Sequence, residues 1–240
     1  MNVSQSQDRT GVRDGRVPAS SNLTMLTDPS SRAAEAYRSL RASVKFADVQ
    51  PPIRSVLIAD TGSGDQHSAI AANLAAALAL AGDSVILIDA NLRAPRVHEL
   101  IGARNDSGLA DWLAAENPDA FAPLVATSIE GLRFLPAGSA AKLNRSGSSP
   151  ADQLGSQLFV RMMERLQQDA DFLVFDAPPL SEVGDALTIA ARTDAVLLLV
   201  RSGRTKRAAA QRAKESLDRI GAHILGAVLT DSGGRFSLRG

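Results

Sequence analysis

The chain has 240 residues, of which 45% are hydrophobic, so it can bury one substantial core and we expect a single domain with a tail. Its 26 Lys and Arg residues balance 26 Asp and Glu residues, which gives no electrostatic reason to expect nucleic acid or an anionic membrane as the main partner. The absence of cysteine excludes disulfides, thiolate nucleophiles and cysteine metal sites, and it fits a reducing cytosol. The N-terminus lacks the apolar core of a signal peptide and no stretch reaches the roughly 18 apolar residues of a membrane span, so we predict a cytoplasmic protein without direct membrane insertion.

The first elements in chain order are a polar arm and a helix. Residues 1–29 are rich in Ser, Asp, Arg and Gly and have little apolar periodicity, which predicts a flexible arm. A Ser cap then precedes apolar or small residues at helical spacing, which predicts a helix with one buried stripe. The folded domain is therefore expected over 30–232, with a short flexible tail at 233–240. The residues of the stripe are Ala33, Tyr37, Leu40 and Val44.

Six short apolar runs follow, and they alternate with helical stretches. Continuous apolar runs of this length are typical of strands that are buried on both faces. The pattern predicts an α/β fold with a parallel, doubly wound sheet and helices on both sides, in which ligands bind at the carboxyl ends of the strands. The runs are SVLIAD (55–60), SVILIDA (84–90), LRFLPA (132–137), DFLVFD (171–176), AVLLLV (195–200) and HILGAVL (223–229).

The sequence DTGSGDQHS connects the first strand to an Ala-rich helix and has the outline of a phosphate-binding loop. Such a loop needs glycines for close backbone approach, a lysine for the β and γ phosphates, and a hydroxyl for magnesium. Gly62 and Gly64 supply the flexible turn, and Ser68 supplies the hydroxyl. Gln66 and His67 stand where glycine and lysine would be expected. Because a neutral imidazole is no substitute for a fixed cation, nucleotide binding and phosphoryl transfer are expected to be weakened.

Two aspartates end apolar strands of the predicted sheet. Asp89 ends VILID and Asp176 ends FLVFD, so both are expected at the edge that also carries the loop. An aspartate at this position commonly supports magnesium in nucleotide-hydrolysing proteins. It is also a common helix cap or turn residue. The coincidence of both aspartates with the loop favours the magnesium interpretation.

Several segments resemble, in order and spacing, the cytoplasmic kinase domain of bacterial tyrosine kinases, which act with polysaccharide co-polymerases in capsule and exopolysaccharide export. The resemblance extends from about residue 28 to residue 231. It implies a P-loop NTPase of the ParA/MinD-like kind, a three-layer sandwich that binds ATP or ADP with magnesium through a Walker A loop, a second aspartate motif and a Walker B aspartate. The segments include DPSSRAAEAYRSLRASVKF, NLAAALALAGDSVILIDANLRAPRVHELIG, SGLADWLAAE, LRFLPAG, SPADQLGS, DFLVFDAPPL, GDALTIAARTDAVLLLVRSGRTKR and LGAVLTD.

The resemblance assigns roles to three residues of the site. Ser68 matches the hydroxyl that binds magnesium, Asp89 the first aspartate of the second motif, and Asp176 the Walker B aspartate. Four residues depart from the pattern, and these departures imply that the two aspartates are vestigial and that nucleotide and magnesium bind weakly or not at all. They are Gln66 for the loop glycine, His67 for the lysine, Ala69 for a second hydroxyl residue, and Asn91 for the second aspartate.

The oligomerisation motif of the family is intact as Glu35, Arg38 and Arg41 in the first long helix. The same spacing would also suit a solvated helix face with an internal ion pair. Kinases of this family usually phosphorylate tyrosines in a C-terminal tail, whereas the only tyrosine here is Tyr37, in the predicted assembly helix. The resemblance therefore predicts a homo-oligomer without the usual autophosphorylation substrate.

These features together predict a catalytically impaired relative of the kinases that regulates or scaffolds a membrane polysaccharide co-polymerase. It would be cytoplasmic, peripheral to the inner membrane through that partner, and would not bind nucleic acid. The first alternative is an active ATP-dependent tyrosine autokinase or ATPase, in which His67 or another cation replaces the lysine. The second is a ParA-like positioning ATPase, which the assembly helix disfavours.

Three weaker signals have plain interpretations. The letters DQHS suggest a hydrolytic triad, but neighbouring residues on a loop and a helix start cannot form a relay. The three histidines, His67, His98 and His223, lie on separate elements without the spacing of zinc ligands. The basic run RSGRTKRAAAQRAK is typical of a solvated helix face, with an acidic partner's docking surface or a nucleotide-facing edge as the alternatives.

Overall fold

The computed structural model describes residues 23–62, 66–115, 117, 122–139, 149–180, 184–230 and 236–239. Their strands form one sheet in the order β3-β4-β2-β5-β1-β6-β7-β8. The inner strands are parallel, whereas β3 and β8 pair antiparallel to their neighbours at the two edges. The strands are β1 (Ser55–Asp60), β2 (Val85–Asp89), β3 (Val125–Ala126), β4 (Leu132–Leu135), β5 (Phe172–Asp176), β6 (Ala195–Arg201), β7 (Ile224–Thr230) and β8 (Phe236–Arg239).

Helices cover both faces of the sheet and complete a three-layer sandwich. Of the helices in the described ranges, none is long and apolar enough to cross a bilayer. The helices are α1 (Thr24–Thr27), α2 (Arg32–Lys45), α3 (Gln66–Ala79), α4 (Val97–Ile101), α5 (Leu109–Ala114), α6 (Pro150–Gly155), α7 (Gln157–Gln168), α8 (Asp185–Ala190) and α9 (Arg207–Arg219).

The central strands are buried on both faces, which explains why their sequences are continuous apolar runs. Along β1, Val56 and Ile58 pack into the hydrophobic cluster beneath α2 and α3, whereas Leu57 and Ala59 pack into the cluster beneath α5, α7 and α9. Successive side chains of a strand point to opposite faces, so each strand contributes to two cores. The prediction of a doubly wound α/β sandwich is confirmed.

Helix α2 forms as its sequence predicts. The hydroxyl of Ser31 accepts a hydrogen bond from the Ala34 amide at 3.1 Å and caps the first turn. The buried stripe consists of Ala34, Tyr37, Leu40 and Val44. The prediction named Ala33 as its first member, which is wrong by one position, because the helix turns Ala34 into the core and leaves Ala33 partly exposed.

All six predicted strands are present, with ends within two residues of the expected ones. The two antiparallel edge strands were not predicted. Residues 236–239, part of the segment for which a flexible tail is expected, form β8 against β7. Of the expected flexible arm, residues 1–22 lie outside the described residues, and residues 24–27 form α1.

The topology brings the predicted site residues to one place. Strands β2, β5 and β1 are neighbours, and Asp89 pairs in register with Asp176 across β2 and β5. Asp176 is also in register with Ile58 of β1, two residues before that strand ends at Asp60. The carboxyl ends of three adjacent strands therefore each carry an aspartate, and α3 begins above them.

Candidate functional site

Three buried carboxylates form the floor of the candidate site. Asp60, Asp89 and Asp176 each have 0% of their surface exposed. Carboxylates are seldom buried unless a cation, a proton or several hydrogen bonds offset the lost hydration. What contacts each of them therefore decides what this edge of the sheet can do.

His67 points inward and contacts the carboxylate of Asp176. Its Nδ1 lies 2.6 Å from Oδ1 of Asp176, and only 4% of its side chain is exposed. The neighbouring Ser68 donates its hydroxyl to Oδ2 of Asp176 at 2.7 Å. Both oxygens of Asp176 thus have partners from the first turn of α3, so the residue in the lysine's position is bound to the strand below it.

The surroundings of His67 favour its charged form. Burial lowers the pKa of His67, but the charge of Asp176, its hydrogen bond and the charges of Asp60 and Asp89 together raise it above its ordinary value. His67 and Asp176 therefore form a buried ion pair as the pH falls. A histidine held in this way stabilises the carboxylate instead of contacting an external anion.

Asp89 is held by the backbone of the loop that follows its strand. Its Oδ1 accepts from the Asn91 amide at 3.2 Å, and its Oδ2 accepts from the Arg96 and Val97 amides at 3.1 Å each. Burial and the nearby charge of Asp176 nevertheless raise the pKa of Asp89 well above its ordinary range. Asp89 thus combines the capping role considered from its sequence with a position beside the candidate site.

Asn91, which stands where a second aspartate was expected, forms a hydrogen bond within the same loop. Its side-chain oxygen accepts from the Ala94 amide at 3.2 Å and closes a turn.

An ion pair that was not predicted from the sequence joins this loop to helix α8. Arg93 donates to both oxygens of Asp185, at 2.8 and 3.2 Å. Asp185 is fully buried at the start of α8, so Arg93 joins the loop after β2 to the segment after β5. Nothing in the spacing of these residues indicates this pair.

The remaining loop residues turn in different directions. Gln66 accepts a hydrogen bond at its Oε1 from the hydroxyl of Thr230 at 2.9 Å, so its side chain leans toward the end of β7. Gly62 donates its amide to Oδ1 of Asp60 at 2.8 Å. Ala69 lies half-buried in the first turn of α3 and has no polar side-chain atom. Gly64 lies outside the described residues.

The residues present do not fit a magnesium ion bound to Asp176 as the site stands. Magnesium needs nearly octahedral oxygen ligands, and both oxygens of Asp176 already contact His67 and Ser68. No group of three or more His, Asp or Glu side chains in the described ranges is arranged to hold a metal ion. Ser68 and Asp176 lie together as predicted, but they are bound to each other.

The predicted assembly motif lies on the outer face of α2. Arg38 pairs with Glu35 at 3.0 Å, with 36% and 71% of their side chains exposed. Arg41 instead reaches the Ala77 carbonyl of α3 at 3.4 Å. The internal ion pair considered from the sequence is present, and it leaves Glu35 largely open to solvent. Whether this face mediates assembly stays a prediction.

Comparison with known proteins places this arrangement in a family. Residues 55–220 match the family model described as cellulose biosynthesis protein BcsQ. The tyrosine-protein kinase YwqD of Bacillus subtilis is 32% identical over 208 residues, which cover 87% of this chain and 85% of that protein. The chain belongs to the bacterial tyrosine kinase family. Gln66 and His67 stand where the resemblance places the glycine and lysine of a phosphate loop.

Other bacterial tyrosine kinases match over similar lengths of this chain. The putative tyrosine-protein kinase CapB of Staphylococcus aureus is 29% identical over 84% of this chain and 85% of its own. The tyrosine-protein kinase wzc of Salmonella typhi is 27% identical over 87% of this chain but only 28% of its own, so that protein extends far beyond the match.

Solved structures agree with the fold. The chimerical protein CapA2B2 has a TM-score of 0.78 at 28% identity, covering 90% of this chain and 92% of that one. The septum site-determining protein MinD of Pyrococcus horikoshii, solved with Mg-ADP, has a TM-score of 0.61 at 22% identity over 73% of this chain and 69% of that one. The fold is therefore that of the P-loop ATPases, and Mg-ADP is known for that neighbour.

Proposed function

We propose that this protein is a bacterial tyrosine kinase relative that no longer transfers phosphate and instead regulates or scaffolds a membrane polysaccharide co-polymerase. The observation that carries this proposal is the contact between His67 and Asp176, in which the residue in the lysine's position is bound to the Walker B aspartate. Phosphoryl transfer depends on cations that bind the β and γ phosphates and offset the developing charge. Here His67 stands in the place of one such cation, but its side chain is shorter than that of lysine, is buried and is bound to Asp176. The expected magnesium ligands, Ser68 and Asp176, are bound to each other.

The acceptor side of the reaction supports the same conclusion. Tyr37 is the only tyrosine of the 240 residues, and 6% of its surface is exposed. Burial also raises the pKa of its hydroxyl. Phosphorylation of Tyr37 would require α2 to leave α3, so the chain has no accessible tyrosine of its own.

The proposed system follows from the relatives. The matching family model is that of a cellulose biosynthesis protein, and the resemblance to bacterial tyrosine kinases implies a co-polymerase partner in capsule or exopolysaccharide export. We place the protein in the cytoplasm, at the inner membrane through its co-polymerase. Assembly through Glu35, Arg38 and Arg41 would present several copies to that partner.

Transfer of labelled phosphate from ATP tests the proposal most directly. The wild-type protein should label neither itself nor a tyrosine-containing substrate peptide in the presence of magnesium. The variant Gln66→Gly/His67→Lys restores the two lost contacts and should bind Mg-ATP more tightly in calorimetry, by about tenfold or more. Polysaccharide output of cells that carry this variant should not exceed that of wild type.

His223→Lys is the matched control, because His223 is exposed and lies far from the loop in sequence. It introduces a lysine away from the loop and should leave Mg-ATP binding unchanged. Labelling of Tyr37 or of a partner's tyrosine by the wild-type protein would refute the proposal. Loss of polysaccharide output in the restored variant would support a role for the closed site itself.

A further inference from the structure

The stretch that ends β6 and begins α9 carries positive charge only. Residues 201–214 contain six Lys and Arg residues and no Asp or Glu, although the chain as a whole has 26 of each charge. Arg204, Lys206 and Arg207 are exposed, and we call them the basic face. None of the three forms an ion pair with another described residue. Their charge is therefore open to an external partner.

The acidic residues of α9 lie too far along the helix to neutralise the basic face. Glu215 follows Arg207 by eight residues, which is about 12 Å along the helix axis. Salt screens exposed charges over about 8 Å at physiological ionic strength. Asp218 is one turn further away and is paired with Lys214 at 2.6 Å. The charges of α9 are thus segregated, with unpaired cations at its start and ion pairs toward its end.

The backbone that carries the basic face is held by the sheet. The Thr205 hydroxyl accepts from the Arg201 amide at 2.9 Å, and the Thr205 amide donates to the Arg201 carbonyl at 2.8 Å. The Ser202 amide donates to the Thr230 carbonyl of β7 at 2.7 Å. Gly203 closes the turn with a φ of 70°, in the left-handed region that glycine tolerates. Little backbone entropy is therefore lost when these cations bind a partner.

The surroundings of the basic face offer charge without an apolar anchor. The exposed residues between and beside the cations are small, namely Ser202, Gly203 and Ala208. They leave room for an extended surface to reach several cations at once. The apolar stripe of α9, with Ala213 and Leu217, is buried in the core, so this helix cannot insert an apolar face into a bilayer. Any contact here is with charge at a surface.

These observations favour an anionic bilayer over an acidic polypeptide as the partner. Specific protein interfaces are centred on apolar or aromatic anchors in well-packed pockets, and the exposed residues of 201–214 include no large apolar side chain. A bilayer surface needs no such anchor, since it attracts each nearby Lys or Arg by about fivefold in affinity. A fourth exposed cation, Arg212, lies further along α9 and adds to the same attraction.

We infer that the basic face contacts the anionic phospholipid headgroups of the membrane directly, as an attachment separate from the co-polymerase. This goes beyond the proposed function, in which the partner alone holds the protein at the membrane. At about fivefold for each of three cations, the preference for anionic lipid is about a hundredfold, which is too weak for stable anchoring by itself. A second attachment, through a partner or through further copies of the chain, would reinforce it. The carboxyl ends of the strands, where α9 begins, then face the bilayer.

Co-sedimentation with vesicles tests the inference without any protein partner. At about 0.1 M salt, vesicles of phosphatidylglycerol and phosphatidylcholine in equal parts should retain the protein, and vesicles of phosphatidylcholine alone should not. Arg204→Gln/Arg207→Gln should weaken partitioning by about 25-fold. The matched control is Arg161→Gln/Arg219→Gln, which removes two exposed arginines from α7 and from the far end of α9. It should weaken partitioning by about twofold at most.

Thermal unfolding shows whether each double variant is folded. Lys206→Gln, which should weaken partitioning by about fivefold, decides the question if Arg204→Gln/Arg207→Gln is not folded. Equal retention by the two kinds of vesicle, or equal losses in the two double variants, would overturn the inference. So would duplex DNA or polyglutamate that binds the protein more tightly than the anionic vesicles do. Phosphate transfer from ATP would refute the proposed function and would leave these partition measurements as they stand.

Discussion

Aspartates lie both at the amino ends and at the carboxyl ends of the strands, which we call the amino edge and the carboxyl edge of the sheet, but their environments are opposite. At the amino edge, Oδ2 of Asp194 accepts from the Arg54 amide at 2.9 Å, from the Ser55 amide at 2.7 Å and from the Ser55 hydroxyl at 2.8 Å. Asp171 likewise accepts from the Ser84 amide at 2.8 Å. These carboxylates keep contact with solvent and each joins two strand starts.

At the carboxyl edge, Asp60, Asp89 and Asp176 are fully buried; the charges of Asp89 and Asp176 repel each other, and all three carboxylates lie close enough to act on His67. Burying like charges together costs stability, and such clusters are found where a site once had or still has a ligand. The comparison teaches that aspartates of the same sheet stabilise the fold at one edge and strain it at the other. Removal of a carboxylate charge should therefore cost much less stability at the carboxyl edge than at the amino edge.

The largest effect is expected at the amino edge. Asp194→Ala leaves two backbone amides and a hydroxyl without their acceptor and should lower the free energy of unfolding by about 3 kcal/mol. Urea denaturation measures the change. Asp171→Ala removes a single acceptor from an exposed position and should cost about 1 kcal/mol. Equal losses in the two variants would show that hydrogen bonding does not explain the role of Asp194.

The carboxyl edge should make stability depend on pH. The folded chain raises the pKa of both His67 and Asp89, so each binds its proton more tightly than in the unfolded chain. Their contribution to the free energy of unfolding is complete below the pKa values of the unfolded chain, about 6.5 for His and 3.9 for Asp. It is lost as the pH rises through the pKa values of the folded chain. As the pH rises from the unfolded to the folded pKa of each group, the free energy of unfolding should fall by about 1.4 kcal/mol per pH unit for each extra proton that the folded chain binds.

His67→Gln removes one of the two titrating groups, so denaturation curves at pH 6, 7 and 8 should show a weaker pH dependence than those of the wild type. His223→Gln is the control, because His223 is exposed at the amino edge and should leave the wild-type dependence intact. A wild-type stability that rises between pH 6 and 8 would contradict the description of the buried cluster.

A smaller effect is expected from Asp176→Asn. The amide can still accept from Ser68 and can donate to a neutral His67, while the repulsion with Asp89 disappears. The free energy of unfolding at pH 8 should change by less than about 1 kcal/mol, in contrast to Asp194→Ala. Urea denaturation of the wild type and of Asp176→Asn at pH 8 measures this change in the free energy of unfolding. A loss as large as that of Asp194→Ala would show that the charge of Asp176 stabilises the fold.

The fold was predictable because its strands are buried on both faces and therefore continuous in the sequence. Val56, Leu57 and Ile58 each pack into one of the two cores, so the run has no polar interruption. The edge strands lack this signal. Strand β3 has two residues, and β8 is defined by its pairing with β7, which a single sequence does not reveal.

The members of the site were predictable, but their contacts were not. The ends of apolar strands placed Asp89 and Asp176 correctly, and the loop outline placed Ser68 beside them. The partners of His67 and Gln66 lie 109 and 164 residues away, so no local spacing indicates that one side chain turns inward and the other toward β7. Only three-dimensional packing determines these directions.

The smallest effect on stability is expected at α2, where the comparison between structural and functional charges can be extended to the surface. Arg38 and Glu35 form an exposed pair, and such pairs contribute little because solvent screens them. Arg38→Glu should therefore change the free energy of unfolding by less than about 1 kcal/mol.

If the motif of Glu35, Arg38 and Arg41 mediates assembly, the same substitution should shift the protein from oligomer to monomer in light scattering. Arg32→Glu, an equal charge reversal at an exposed position at the start of α2, should leave the mass unchanged. A wild-type protein that is already monomeric, or equal shifts in both variants, would contradict a role of Glu35 and Arg38 in assembly, since a specific interface must distinguish these positions from their neighbours.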